Sequence, residues 1–197
     1  MKFKILGTEI YISFLFMAVI TILLATDRTG MAVPSLFAIG VHEIGHLFAM
    51  WLLECNPKRI KLIPASVQIT SEITKKYKND IIIALFGPLV NFLLFFVFYF
   101  NYLAYKNQLV LCYALLNLLI GAFNSLPVSG LDGGAILFSL IAKKTTLNRA
   151  ILTLKTITVI TAIFVIAFAV FMTIKGKINL SLYIIGIYLL IMSIIKT

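Results

Sequence analysis

The sequence predicts an all-α polytopic membrane protein: six transmembrane helices with a short membrane-associated β-hairpin near residues 58–73. Three observations lead there. The first is solvent preference: 61% of the 197 residues are hydrophobic, only 12% are charged, and the mean hydropathy is +1.07. Soluble domains carry about 25% charged residues, so this chain has roughly half the charge needed to wet a globular surface. The second is a series of long uncharged runs, and the third is one stretch whose β-branched residues alternate with polar ones. Disorder, a collagen-like chain and a disulfide scaffold are excluded on the same composition.

The runs cover Ile10–Thr26, Thr29–Leu53, Ile81–Tyr105, Asn107–Leu131, Thr156–Ile174 and Ile178–Ile195. About 20 residues at 1.5 Å per residue cross a hydrocarbon core about 30 Å thick, so each run is long enough to span. The first lies near Lys2 and Lys4 but exceeds a signal-peptide core and precedes no small-residue cleavage site, so it is expected to stay. The second contains His42, Glu43 and His46. Within 107–131 one helix is expected near 109–126, ended by Pro127 and followed by a glycine-rich loop in which Gly130, Gly133 and Gly134 break the helix. Residues 58–73 read as two short strands divided at Pro64-Ala65-Ser66. With no repeats or low-complexity linkers, residues 1–197 read as one domain.

Net charge is +10, from 17 basic and 7 acidic residues. In a soluble protein this would suggest nucleic acid, but here the positive-inside rule explains it better. With a cytoplasmic N-terminus, 13 basic residues, among them Lys58, Arg59, Lys75, Lys76, Lys143, Lys144 and Lys196, fall inside. Arg28, Lys106, Lys175 and Lys177 fall outside. Both termini are therefore expected in the cytoplasm, and no nucleic-acid partner is expected. Cys55 and Cys112 show no framework spacing. Glu9, Asp27 and Trp51 near span ends fit interfacial anchoring.

An ionisable residue inside a span is costly and marks function by default. The two histidines of the chain are His42 and His46, with Glu43 following the first. Positions i and i+4 share a helix face, so both imidazoles can reach one metal ion, with Glu43 beside it to take a proton from water. This is the H-E-x-x-H zinc hydrolase pattern. A catalytic zinc takes three protein ligands and leaves one position open. Asp132, in the segment Asn124–Gly134 beyond the fourth span, is the leading third ligand, and Glu72 is the alternative. The second and fourth spans both run inward, which brings the three ligands to one depth near the cytoplasmic face.

Val41-His-Glu-Ile-Gly-His46, Phe86-Gly-Pro-Leu-Val-Asn91, and Asn124-x-x-Pro127 leading to Leu131-Asp-Gly-Gly134 occur in the order found in the site-2 proteases, the intramembrane zinc metalloproteases, and the chain resembles that family. The resemblance implies zinc on His42, His46 and Asp132, Glu43 as general base, and Asn124 holding the substrate or its developing oxyanion. It implies structural roles for Pro88 and Asn91, and likens 58–73 to the family's hairpin, whose edge can pair with an extended substrate. The compact form resembles the bacterial group that includes the protease processing a sporulation sigma-factor precursor, in a bacterial or archaeal cell membrane. Neither a PDZ insertion nor a C-terminal CBS domain is expected. The implied reaction is cleavage of membrane-spanning or membrane-associated proteins near the cytoplasmic face, with a membrane regulator as a further partner. The competing reading is a non-catalytic membrane protein, either a metal-binding adaptor or a metal transporter using His42 and His46 as a transit site. Against it, the third, fifth and sixth spans hold no acidic residue or histidine to continue a path.

Overall fold

The computed structural model describes residues 2–5, 8–55, 57–63, 66–71 and 77–195. Glu72, Lys75, Lys76, Lys196 and the Pro64-Ala65 break lie outside the described residues. The elements run β1 (Lys2–Ile5), β2 (Thr8–Ile12), α1 (Phe14–Thr26), α2 (Ala32–Leu52), β3 (Pro57–Ile63), β4 (Ser66–Ser71), α3 (Tyr77–Tyr105), α4 (Gln108–Asn124), α5 (Asp132–Ala142), α6 (Leu147–Ile174) and α7 (Leu180–Ile195). They form two compact units, residues 1–122 and 123–197.

In the first unit the four strands make one sheet in the order β1-β2-β3-β4. β3 and β4 pair antiparallel, from Pro57↔Ser71 to Ile63↔Ser66, which is the hairpin expected from the alternation in 58–73. The sheet is larger than that hairpin, because Lys2–Ile5 and Thr8–Ile12 also pair and β2 runs parallel to β3. The sequence Thr-Glu-Ile-Tyr-Ile itself alternates, and a parallel neighbour 50 residues away turns that weak local signal into a strand. Glu9 is thereby an ion-pair partner and not merely an interfacial anchor: Arg59, opposite it in the register, donates from Nε at 3.0 Å and Nη2 at 2.8 Å. Those hydrogen bonds, with the charge of Lys2, hold the Glu9 carboxyl below its usual pKa.

The strand takes Ile10–Ile12 out of the first apolar run, and the helix begins only at Phe14. Ser13 marks the change. Its N–H donates to Leu62 O at 3.0 Å, continuing the β2–β3 ladder, while its Oγ accepts from Phe16 N at 3.0 Å as a helix N-cap. What remains, α1, has 13 residues, about 20 Å against a core of about 30 Å. Among the described residues, three helices, α2, α3 and α6, are long and apolar enough to cross a membrane. α1, α4, α5 and α7 are apolar but shorter. Side chains such as Phe14, Phe96, Phe100, Phe164 and Ile184 stand exposed along these helices, as they would in a protein whose solvent is lipid. The chain is a membrane protein.

α2 and α3 pack most extensively in the first unit, and α6 with α7 in the second. The α2–α3 contact is close because Gly45 faces Phe86: a Cβ at Gly45 would lie 2.6 Å from the Phe86 carbonyl oxygen. In the second unit Val128, Leu131, Ala162 and Leu189 form a buried core. The expectation that Gly133 and Gly134 break the chain's helical course is corrected here, since both lie inside α5. A Cβ at Gly133 would collide with the Ser125 and Leu126 carbonyls, and one at Gly134 with the Val128 carbonyl. These glycines allow a helix to sit against the preceding loop. They do not end one.

Candidate metal centre

His42 and His46 lie one turn apart on α2, both buried. Each imidazole is held at Nδ1. His46 Nδ1 stands 2.8 Å from the Ile83 carbonyl oxygen, which can only accept, so Nδ1 carries the proton. His42 Nδ1 stands 2.6 Å from Asn91 Oδ1. The Asn91 Nδ2 group donates to Ala38 O and to Asn117 Oδ1, each at 2.9 Å, so the oxygen faces His42 and accepts. Asn117 Nδ2 in turn donates to Tyr113 O at 2.8 Å.

Both rings therefore carry their proton on Nδ1 and a lone pair on Nε2. The two Nε2 atoms are 3.2 Å apart, with the ring planes at 88°. Two lone pairs that face each other repel unless a cation lies between them. Neutral imidazole nitrogens anchored through their other ring nitrogen are what a borderline metal ion takes as ligands. The donor set fits zinc.

Space for this arrangement comes from Gly87. A Cβ there would run into Cε1 and Nε2 of His46 and would lie 2.9 Å from His42 Cε1. Residues of the Phe86–Asn91 segment thus act at the site twice, Gly87 by leaving room for both rings and Asn91 by orienting one. The sequence reading assigned Asn91 a structural role only, and its spacing to His42, 49 residues, offers no local signal. A buried asparagine in an apolar run was the available clue.

Glu43 follows His42 on α2 and is half-buried. In the second unit, Asn124 is the last residue of α4 and Asp132 the first of α5, both half-buried. The loop between them is held by Thr158 of α6, whose Oγ1 accepts from Ser129 N at 2.9 Å and donates to Leu154 O at 2.8 Å. Gly130 in that loop has φ +94°, a left-handed backbone that favours glycine.

In its three-dimensional course the chain is similar to the site-2 protease from Methanocaldococcus jannaschii, with a TM-score of 0.70, 22% sequence identity, and coverage of 98% of this chain and 93% of that one. The chain has the site-2 protease fold. By sequence it is also 30% identical over 155 residues to a zinc metalloprotease of Methanocaldococcus jannaschii, a match covering 72% of this chain and 45% of the relative. The chain thus spans less than half the length of that curated relative. No protein-family model matches it. The resemblance to the site-2 proteases read from the three motifs is borne out by fold and sequence similarity together. In this fold the H-E-x-x-H helix is α2, and the G-P-x-x-N helix is the α3 that packs on it.

Proposed function

We propose that this chain is an intramembrane zinc metalloprotease that hydrolyses peptide bonds of membrane-spanning or membrane-associated proteins near the cytoplasmic face. The observation that carries the reading is the pair of Nδ1-anchored imidazoles facing each other through Nε2 inside an apolar helix, with Glu43 next in sequence. The similarity to a protein named as a zinc metalloprotease supports it.

His42 and His46 would hold the zinc through Nε2, and Asp132, the third ligand read from the sequence, would complete the set. When bound, zinc supplies a Lewis acid for the scissile carbonyl and acidifies water. Glu43 takes the proton from the attacking water and returns it to the leaving amine. Asn124 donates to the substrate carbonyl, where charge develops in the transition state. The outer strands of the sheet offer an edge on which an extended substrate can add. A substrate helix must unwind first, because its carbonyls are tied in i→i−4 bonds. Six membrane crossings, cytoplasmic termini and a single protease domain complete this reading, supported by the bias of 17 basic residues toward one set of loops.

The test is co-expression of the chain with tagged single-span proteins, comparing wild type with Glu43→Gln and measuring zinc in both purified proteins. The expected result is cleavage by wild type, none by Glu43→Gln, and equal zinc in the two. Equal cleavage by both would overturn the role of Glu43. Zn²⁺ flux across liposomes without peptide hydrolysis would overturn the protease reading.

A further inference from the structure

Asn117 lies on α4 with no solvent exposure, in a helix otherwise apolar around it. Burying an amide is costly unless its groups are hydrogen-bonded, so packing alone would place a leucine there. Its bonds have a direction. Asn117 Nδ2 donates to Tyr113 O of its own helix at 2.8 Å, which leaves Oδ1 to face α3 and accept from Asn91 Nδ2 at 2.9 Å. Asn91 spends its other Nδ2 hydrogen on Ala38 O at 2.9 Å. Only Asn91 Oδ1 then remains to meet His42 Nδ1 at 2.6 Å.

We infer that Asn117 is a positioning residue for the metal centre: acting through Asn91, it holds His42 in the tautomer that presents Nε2 to a metal ion. The inference rests on the metal-binding role proposed above. Turning the Asn91 amide over would aim its oxygen at two acceptors, Ala38 O and Asn117 Oδ1, and its Nδ2 at His42 Nδ1. His42 would then carry its proton on Nε2, where it cannot ligate. Gly121, one turn beyond Asn117, makes the approach close enough, since a Cβ there would lie 3.1 Å from Asn91 Cβ. His46 is independent of this relay, because a backbone carbonyl, Ile83 O, sets its tautomer. Asn117 therefore governs one histidine and not the other.

That asymmetry can be read directly, because the chain has two histidines. Full-length protein labelled with ¹⁵N in the imidazoles is studied in micelles, metal-free at about pH 9 to keep the rings neutral and again with Zn²⁺, whose affinity is measured by chelator competition. In wild type both rings should be protonated on Nδ1. In Asn117→Leu one ring should gain an Nε2–H population while the other is unchanged, and zinc affinity should fall by about tenfold. Asn117→Asp, which keeps an oxygen for Asn91 Nδ2, should retain the wild-type nitrogen pattern. Wild-type nitrogen signals and affinity in Asn117→Leu would overturn the inference. Should that variant fail to fold, a mixed tautomer in Asn117→Asp, or an Nε2-protonated His42 in wild type, would overturn it instead. Wild type that binds no zinc would refute the metal reading, while the ring-nitrogen pattern would still judge the relay.

Discussion

Replacing Gly87 by alanine adds one methyl group at the point where α3 meets both imidazoles. The new Cβ would lie 2.9 Å from His42 Cε1 and closer still to the His46 ring, where carbon atoms need about 3.5–4.0 Å. The His42 contact alone requires a shift of at least about 0.6 Å, and the His46 contact requires a larger one. The rings cannot give way freely, because their Nδ1 bonds of 2.6 and 2.8 Å tie them to Asn91 and Ile83. Either the helices part or a buried hydrogen bond breaks, and each route costs about 1–3 kcal/mol. A displaced Nε2 also loses the metal, with an affinity change of about 10–100-fold for a disturbed ligand support. Gly40→Ala is the control on α2: nothing lies within 4 Å of its added Cβ, so it should be neutral or stabilising by up to about 1 kcal/mol. Unfolding in mixed micelles with parallel zinc titration measures both quantities. Wild-type stability and wild-type zinc affinity in Gly87→Ala would refute the geometry of the site.

Further outcomes follow from other residues. Asp132→Ala should lower both zinc content and cleavage, since two imidazoles alone bind zinc poorly; metal analysis showing full occupancy would place the third ligand elsewhere, with Glu72 next to test. Thr158→Val removes the acceptor for the Ser129 N–H and should cost about 1–3 kcal/mol, read as a lower thermal midpoint, with zinc affinity reporting whether the Asp132 loop loosens. Asp27 accepts hydrogen bonds from the N–H groups of Ala32, Thr29 and Gly30 and from the Thr29 hydroxyl, and these bonds, Ala32 first, hold its carboxyl at about 2, below the ordinary 3.8. Because the folded value is the lower one, its contribution is present above about pH 3.8 and is lost as pH falls through about 2. The ¹³C signal of the Asp27 carboxyl should titrate near that lower value; a midpoint at 3.8 would show that the turn between α1 and α2 does not hold it.

What the sequence determined by itself was set by short-range rules. The scarcity of charge made the bilayer the solvent, i to i+4 spacing put His42 and His46 on one face, and alternation in 58–73 made a hairpin, because each of these depends on neighbours within a turn or a strand. The N-terminal strands were not legible, since Thr8–Ile12 becomes a strand by pairing both with Lys2–Ile5 and with Arg59–Leu62, 50 residues away. Nor was α5, where Gly133 and Gly134 resemble helix breakers until the carbonyls of Ser125, Leu126 and Val128 are seen against them. The same holds at the metal centre. Residue types announced two imidazoles and a carboxylate, but which ring nitrogen faces a metal was decided by Asn91, Asn117 and Ile83, 37 or more residues from the histidines they act on. A tautomer is chosen by the acceptor that meets it in space, and only the packing of α3 and α4 brings those acceptors to α2.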